Sequence, residues 1–207
     1  MTFLPPVAHV SEKTPQVLQV YRDFPKSGSF EEYGKIEEDA AHICTEFDCP
    51  HPYIALESLT GHKEVWFLNG YKSHAEREKV ALDYANNPPL MAALKDIARR
   101  KSALVFEPIE LFANLRPGMS RGTPWTLGQS RFVIATLTIL SLKVEGTVFE
   151  TEDGKRLIMN SAQSSKEARA LAAASQDTHV FAVRPLWSIP DRKWSAADPA
   201  FWNPLTL

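Results

Sequence analysis

The sequence predicts an α+β protein assembled from two related halves. Short segments rich in β-branched and aromatic residues alternate with amphipathic segments of helical period along most of the chain. The order of these segments in residues 17–117 recurs, with one helix fewer, in residues 131–187. The two halves also end alike, with FANLRP in the first and FAVRP in the second. The shared order and endings favour an internal duplication.

Composition and charge narrow the classes of function. The chain has 207 residues, a formal net charge of −2 and 44% hydrophobic residues, so it offers no strong positive field to nucleic acid or anionic lipid. No stretch reaches the ~18 apolar residues of a membrane span, and the first residues lack the pattern of a secretory signal. We therefore expect a cytoplasmic protein with no nucleic acid or membrane partner. We expect Cys44 and Cys49 to be reduced thiols, with a local bridge between them as the alternative.

The first half is predicted to contain four strands and a set of capped helices. The predicted strands cover residues 17–21, 53–59, 64–68 and 106–115. Ser29 with Glu32 and Ser73 with Glu76 form capping boxes that begin helices. Prolines 88 and 89 kink or split the second helical segment. We interpret the basic run 99–101 as the end of that helix, where cations complement the negative end of the helix dipole, rather than as a nucleic-acid patch. The resulting order, β-α-β-β-α-β, is that of a ferredoxin-like unit.

The second half repeats most of that order. Predicted strands cover residues 132–140, 147–150, 156–159 and 179–183, with a hairpin turn at Asp153-Gly154 and a capping box of Ser164 with Glu167. The first helix of the unit is missing. The predicted organisation is therefore an N-terminal extension (1–16), a first unit (17–117), a linker (118–130), a degenerate second unit (131–187) and an aromatic, proline-rich tail (188–207).

This element order carries a family resemblance. Together with Glu64-Val65-Trp66, which leads into a capped helix near His74 that ends at Asn87-Pro88, it resembles the dimeric α+β barrel superfamily. Members include antibiotic-biosynthesis-monooxygenase-like and NIPSNAP-like proteins. The resemblance implies two ferredoxin-like units whose antiparallel sheets close into a barrel, here as a pseudo-dimer within one chain, with ligands between a sheet and its helices. Because that superfamily spans oxygenases, haem-degrading enzymes, isomerases and lyases, it leaves the chemistry open.

Acidic, basic and aromatic side chains are predicted to cluster at the mouth of the helix–sheet layer of the first half. Imidazole, phenol and carboxylate groups there could carry out acid–base chemistry on a bound carbonyl or phenol. The candidate catalytic residues are His74, Tyr71 and Glu57, and the candidate pocket residues are Tyr21, Arg22, His51, Tyr53 and Trp66.

Among these residues His74 is favoured. A helix N-terminus disfavours protonated imidazole, which would keep this side chain neutral and available as a base or ligand. The alternative is structural: an aromatic residue on a strand is more often core, and a histidine after an N-cap is more often solvated. Arg22 could likewise pair with its neighbour Asp23.

A metal site is not predicted, although four possible metal ligands lie within ten residues: His42, Cys44, Cys49 and His51. His42 and Cys44 are two residues apart on a predicted helix, and so they point in nearly opposite directions. We expect a solvated His42 and a packed Cys44.

Three functions are compatible with the sequence. The first is a protein that binds a small apolar or aromatic molecule and acts on it as an oxygenase-like or isomerase-like enzyme without a cofactor. It predicts a cavity lined by Trp66 and helix residues. The second is a haem protein with His74 or His42 as axial ligand. The third is a non-catalytic assembly protein that docks through its aromatic tail, residues 188–207. We expect either a monomeric pseudo-dimer or a homodimer.

Overall fold

A computed structural model gives the fold of residues 14–139, 145–173 and 178–203. The strands are β1 Val17–Asp23, β2 Ile54–Ser58, β3 Val65–Tyr71, β4 Ile109–Leu115, β5 Phe132–Thr138, β6 Thr147–Thr151, β7 Arg156–Ala162 and β8 Thr178–Val183. The helices are α1 Phe30–Glu46, α2 His74–Ala85, α3 Pro88–Ser102, α4 Ser165–Ala172, α5 Arg192–Ala197 and α6 Pro199–Trp202, with a 3-10 turn at Pro185–Trp187.

The eight strands form one closed barrel. Their order around it is β1-β3-β2-β8-β5-β7-β6-β4, and every neighbouring pair is antiparallel. The predicted α+β fold with an antiparallel barrel inside one chain is therefore confirmed.

The two halves contribute equivalent arcs to this barrel. The first supplies β4-β1-β3-β2 and the second supplies β8-β5-β7-β6, so each half places its fourth, first, third and second strands in that order. The arcs join where β2 pairs with β8 and where β4 pairs with β6. Residues 139–146 link β5 to β6, which is too short a segment for a helix of α1's length.

Every second side chain of each strand points inward, and these side chains fill the barrel interior. Inward positions such as Leu18, Val20, Phe149 and Met159 are fully buried and belong to one large apolar cluster. Because side chains fill the interior, as is usual in eight-stranded barrels, ligand space has to lie outside it.

The described part of the aromatic tail packs against this same cluster. Trp194 of α5 and Trp202 of α6 are buried with the barrel residues, and Arg131 pairs with Asp198. Leu127 contacts Gly70 near the end of β3, Trp194 contacts Gly128, and the Trp125 amide donates to Thr147 Oγ1 at the start of β6. The tail thus closes the end of the barrel at which β1 and β5 begin.

The helices cover the outer face unequally. Helices α1 and α3 pack on each other through Ile36, Ala40 and Ile97 over the first half. In the described part of the second half, α4 is the one helix that packs on the outer face of the sheet, through Ala168. The predicted split between α2 and α3 is confirmed, with Asn87 Oδ1 accepting a hydrogen bond from the Leu90 amide.

Two local predictions are wrong. Ser29 makes no side-chain cap, because its backbone is already helical (φ −95°, ψ −2°) and an N-cap serine needs an extended backbone. Cys44 and Cys49 form a disulfide rather than two thiols. Asp48 adopts a positive φ of 50° after α1, and the Cys49 amide donates back to the Cys44 carbonyl, which brings the two Cα atoms to 4.7 Å.

Replacing Gly128 with alanine tests the tryptophan closure of the barrel. Gly128 has a φ of +81°, and a Cβ there would overlap the Trp194 ring. We expect Gly128→Ala to lower the free energy of unfolding, measured in urea, by about 3 kcal/mol through backbone strain and overpacking. Gly28 is the matched control, because its φ is +80° but a Cβ meets nothing within 4 Å. An equal decrease in the free energy of unfolding for Gly128→Ala and Gly28→Ala would show that Trp194 does not pack against Gly128.

Candidate functional site

A cavity of about 870 Å³ lies between the outer face of the first half of the barrel and helices α1, α2 and α3. Its floor consists of outward side chains of β1, β3 and β4, and its walls consist of helix residues. The floor residues are Gln19, Tyr21, Phe67, Asn69, Tyr71 and Phe112; the wall residues include Glu37, Ala40, Cys44, Arg77, Val80, Leu94, Ile97 and Lys101. The volume lies in the range of pockets that enclose a small organic molecule.

A buried group of charged residues closes one end of this cavity. Lys101 of α3 places its Nζ 2.9 Å from Asp23 Oδ2 and 3.1 Å from Glu37 Oε1. The hydroxyl of Tyr33 donates to the same Asp23 oxygen at 2.8 Å. Asp23 and Glu37 are almost fully buried, and Glu37 and Lys101 line the cavity. We call Asp23, Tyr33, Glu37 and Lys101 the acid–lysine cluster.

The cluster contains two carboxyl groups and one ammonium, so one negative charge is left over if all three ionise. Burial raises the pKa of Glu37 above 4.5, the nearby charge of Asp23 adds to the rise, and the Lys101 ammonium opposes it. Burial lowers the pKa of Lys101, but the charges of Glu37 and Asp23 outweigh that effect and raise it overall. The favoured state therefore pairs a charged lysine with a carboxyl group that readily takes up a proton.

Aromatic rings surround the lysine. Its Nζ lies 5.3 Å from the centre of the Phe67 ring, 5.7 Å from that of Tyr21 and 6.0 Å from that of Tyr33, distances at which a cation is attracted to a ring face. Burial also raises the pKa of the Tyr21 and Tyr53 hydroxyls. Both tyrosines consequently stay neutral and can donate hydrogen bonds into the cavity.

The other end of the cavity has different chemistry. Tyr71 donates to Gln19 Oε1 at 2.8 Å, and Gln19 Nε2 donates to Glu110 at 2.5 Å. Burial raises the pKa of Tyr71 to about 12. The guanidinium of Arg77 lies 4.7 Å from the centre of the Phe112 ring. This end therefore combines neutral hydrogen-bonding groups with the Arg77 cation and the exposed carboxylate of Glu78, the next residue of α2.

Three of the candidate residues line the cavity: Tyr21, Tyr53 and Tyr71. His51 lies directly behind them. It stacks on Tyr71 with ring centres 4.4 Å apart, and its Nε2 lies 3.1 Å from the Gly70 carbonyl. Burial lowers the pKa of His51, so it is a neutral support for Tyr71 that donates from Nε2.

Trp66 does not line the cavity. Neighbouring strand residues face opposite sides of a sheet, and on β3 Phe67 faces the cavity while Trp66 faces the barrel interior. Arg22 lies beside Trp66 and pairs with Glu64 at 2.7 Å instead of with Asp23. Glu64 also accepts a hydrogen bond from Trp66 Nε1 at 2.7 Å. The buried Glu64 carboxylate is thus compensated by Arg22 and Trp66.

Glu57 and His74 lie away from the cavity lining. Glu57 forms ion pairs with Lys63 and Arg184. His74 is exposed at the start of α2, with Nε2 2.7 Å from Asn114 Oδ1. The structure thus brings the candidate tyrosines together but separates them from the favoured histidine.

The acid–lysine cluster was missed from the sequence, although a signal was present. Glu37 follows Tyr33 by four residues and precedes Ala40 by three, which puts a carboxylate within the apolar stripe of α1. Lys101 extends the stripe of Leu94 and Ile97 on α3 in the same way. A charged residue at a core-facing helical position has to be paired, and that rule singles out both residues.

Comparisons with known proteins give structural likeness alone. No protein-family model matches the chain, and no curated protein matches its sequence significantly. The chain is similar to a "putative monooxygenase" from Fusobacterium nucleatum, with 9% identity, a TM-score of 0.49 and coverage of 86% of this chain and 94% of that one. It is also similar to a protein of the same name from Lactobacillus acidophilus, with 9% identity, a TM-score of 0.46 and coverage of 91% and 89%. These values assign neither a reaction nor a ligand to this chain.

In residues 14–139, 145–173 and 178–203, no group of three or more histidine, cysteine, aspartate or glutamate side chains is placed to hold a metal ion. Within the same ranges no helix is both long and apolar enough to cross a bilayer.

Titration of Glu37 tests the electrostatics of the cluster. We expect carbon-detected NMR to give a Glu37 pKa above 4.5, and Lys101→Met to raise it further because the opposing ammonium is gone. The contribution of Glu37 to stability is complete below about pH 4.5 and is lost as the pH rises through its folded-state pKa. Lys95→Met, on an exposed position of the same helix, is the control. A wild-type pKa at or below 4.5 would contradict the proposed environment.

Proposed function

We propose that the chain is an enzyme that binds a small apolar or aromatic molecule in the helix–sheet cavity and moves a proton on it. The observation that carries this proposal is the placement of Glu37 and Lys101 at the end of an otherwise largely apolar and aromatic cavity. Perturbed carboxyl and ammonium groups in a cleft are typical of acid–base centres.

The two side chains have complementary roles in this chemistry. The Glu37 carboxylate removes a proton from the carbon next to a carbonyl, or from a phenol. The electron pair moves onto the substrate oxygen, and the Lys101 ammonium stabilises the resulting enolate or phenolate. An ammonium has three donors, so one is left for substrate beside Asp23 and Glu37. Return of the proton to another carbon completes an isomerisation.

The cavity walls support an aromatic substrate. Phe67 and Tyr53 pack edge to face with ring centres 5.9 Å apart, and Val80, Leu94 and Ile97 line the opposite side. Such surfaces favour flat apolar groups, and exclusion of water strengthens the charge interactions at the cluster. An oxygenase reaction without a cofactor would begin with the same deprotonation, so we place isomerase-like chemistry first and oxygenase-like chemistry second.

The two other functions receive less support. The proposed haem ligands His74 and His42 are both exposed and are absent from the residues that line the cavity. The tryptophans of the tail are packed within the chain, which leaves less aromatic surface for docking. Neither function is therefore proposed.

We also propose that the barrel arose by duplication of a ferredoxin-like unit whose second copy lost its first helix. The equal strand orders of the two arcs support this origin. Because one chain closes the barrel, a second copy is not needed to cover a sheet edge, which supports a monomeric pseudo-dimer. The cytoplasmic location stays a prediction, and the Cys44–Cys49 bridge weighs against it because disulfides persist mainly in oxidising compartments.

Hydrogen–deuterium exchange on an aryl ketone tests the proposed activity. The probe is para-hydroxyphenylacetone, whose methylene protons lie next to a carbonyl, followed by NMR in deuterium oxide. We expect the protein to accelerate exchange, with a rate that rises as the pH passes through the Glu37 pKa, and Glu37→Gln to reduce this acceleration about 100-fold or more. Glu38→Gln, which changes an exposed carboxylate next to Glu37 on α1 that does not line the cavity, should leave the rate unchanged. Exchange that is no faster than in buffer, or is insensitive to Glu37→Gln, would overturn the acid–base proposal.

A further inference from the structure

Arg77 is a cation on the cavity wall whose charge is unpaired. The half-buried side chain projects from α2 over Phe112. Its Nε is fully buried and has no hydrogen-bond partner, and none of the described residues forms an ion pair with it. A buried donor without an acceptor is costly unless a ligand supplies one.

The neighbouring acidic side chains do not satisfy this cation. Glu76 accepts from the Lys72 amide and pairs with the Lys72 ammonium, and Glu110 accepts from Gln19. Glu78 lines the cavity but is exposed to solvent. On the floor, Gln19 pairs with Phe112, the residue beneath Arg77, and its side chain is neutral and accepts a hydrogen bond from Tyr71. An acceptor that enters the cavity would meet an available guanidinium.

The register of the barrel gives the distance from Arg77 to the acid–lysine cluster. Phe112, beneath Arg77, pairs with Gln19 of β1. Lys101 lies over Tyr21 and Asp23 of the same strand, two and four residues further along. At the usual rise of a strand, the two cationic groups are about 7 to 13 Å apart along the sheet.

We propose that the cavity takes an amphipathic anion, an aromatic or apolar body with a carboxylate or similar group at one end, and that Arg77 binds that anionic group. This inference rests on the proposed function and deepens it by naming the substrate class. The anionic group sits at the Arg77 end, and the carbonyl or phenol lies at Glu37 and Lys101. A planar guanidinium suits a carboxylate because it donates two parallel hydrogen bonds.

Calorimetric binding of a matched pair of ligands tests this assignment. The probes are para-hydroxyphenylbutanoate and its neutral amide, para-hydroxyphenylbutanamide, which share one skeleton and span a comparable length. We expect the carboxylate to bind the wild-type protein about tenfold or more tightly than the amide. Arg77→Met should abolish this difference, because it weakens binding of the carboxylate more than binding of the amide, while Arg77→Lys should keep part of the difference.

Arg99→Met is the control, because it removes the same charge from an exposed ion pair with Asp96. It should preserve the preference for the carboxylate. If the two ligands bind the wild type equally, or if Arg77→Met retains the preference, the Arg77 assignment is wrong and the proposed function stands. If neither ligand binds, both the assignment and the proposed binding of such molecules are overturned. Melting temperatures of all variants show whether a loss reflects unfolding.

Discussion

The buried ion pairs of Lys101 with Asp23 and Glu37 are the interaction on which the first half of the structure depends. They connect three elements that are distant in the sequence: the end of β1, the middle of α1 and the end of α3. Removing one partner of such a buried group leaves uncompensated charge and typically costs about 3–5 kcal/mol. The pairs therefore fix the two helices against the sheet, and the cavity opens beside them.

The alternation of the strands separates the structural and functional faces of the barrel. Inward residues, with Trp66, Trp194 and Trp202 among them, fill the interior and close one end. Outward residues of β1, β3 and β4 are then free to form the floor of a cavity, which α1, α2 and α3 cover. In the second half one helix, α4, packs Ala168 directly onto the sheet. The described helices are therefore distributed unequally over the barrel, and the cavity lies under the three helices of the first half.

Much of the fold could be predicted from the sequence because the periodic patterns are strong. The hairpin at Asp153-Gly154 and the serine caps at Ser73 and Ser164 occur where their local chemistry requires them. The cap predicted at Ser29 is absent because the preceding turn, in which the Ser29 amide donates to the Lys26 carbonyl, determines the backbone conformation of Ser29. The disulfide was missed because six residues of sequence do not show that the chain reverses at Asp48.

The candidate site was harder to predict because it depends on which elements meet. Tyr21, Tyr53 and Tyr71 could be predicted because they lie on or next to strands of the first half. Glu37 and Lys101, in contrast, become partners only when α1 packs on α3. Trp66 was placed on the wrong face because residues 65–68 are all apolar, so the sequence does not show which side of β3 faces the barrel interior. The spacing of Lys101 from Leu94 and Ile97 puts it on the core-facing side of α3, unlike Arg99 and Arg100, but does not show which acidic residues it meets there.

A crystal structure of the protein with para-hydroxyphenylacetone would test the central claim most directly, that Glu37 and Lys101 form the reactive end of the cavity. The account predicts electron density between the sheet and α1–α3, with the ligand oxygen within hydrogen-bonding distance of Lys101 Nζ and the methylene carbon beside the Glu37 carboxylate. Ligand density elsewhere on the protein, or in the cavity with its oxygen directed away from Lys101, would contradict it.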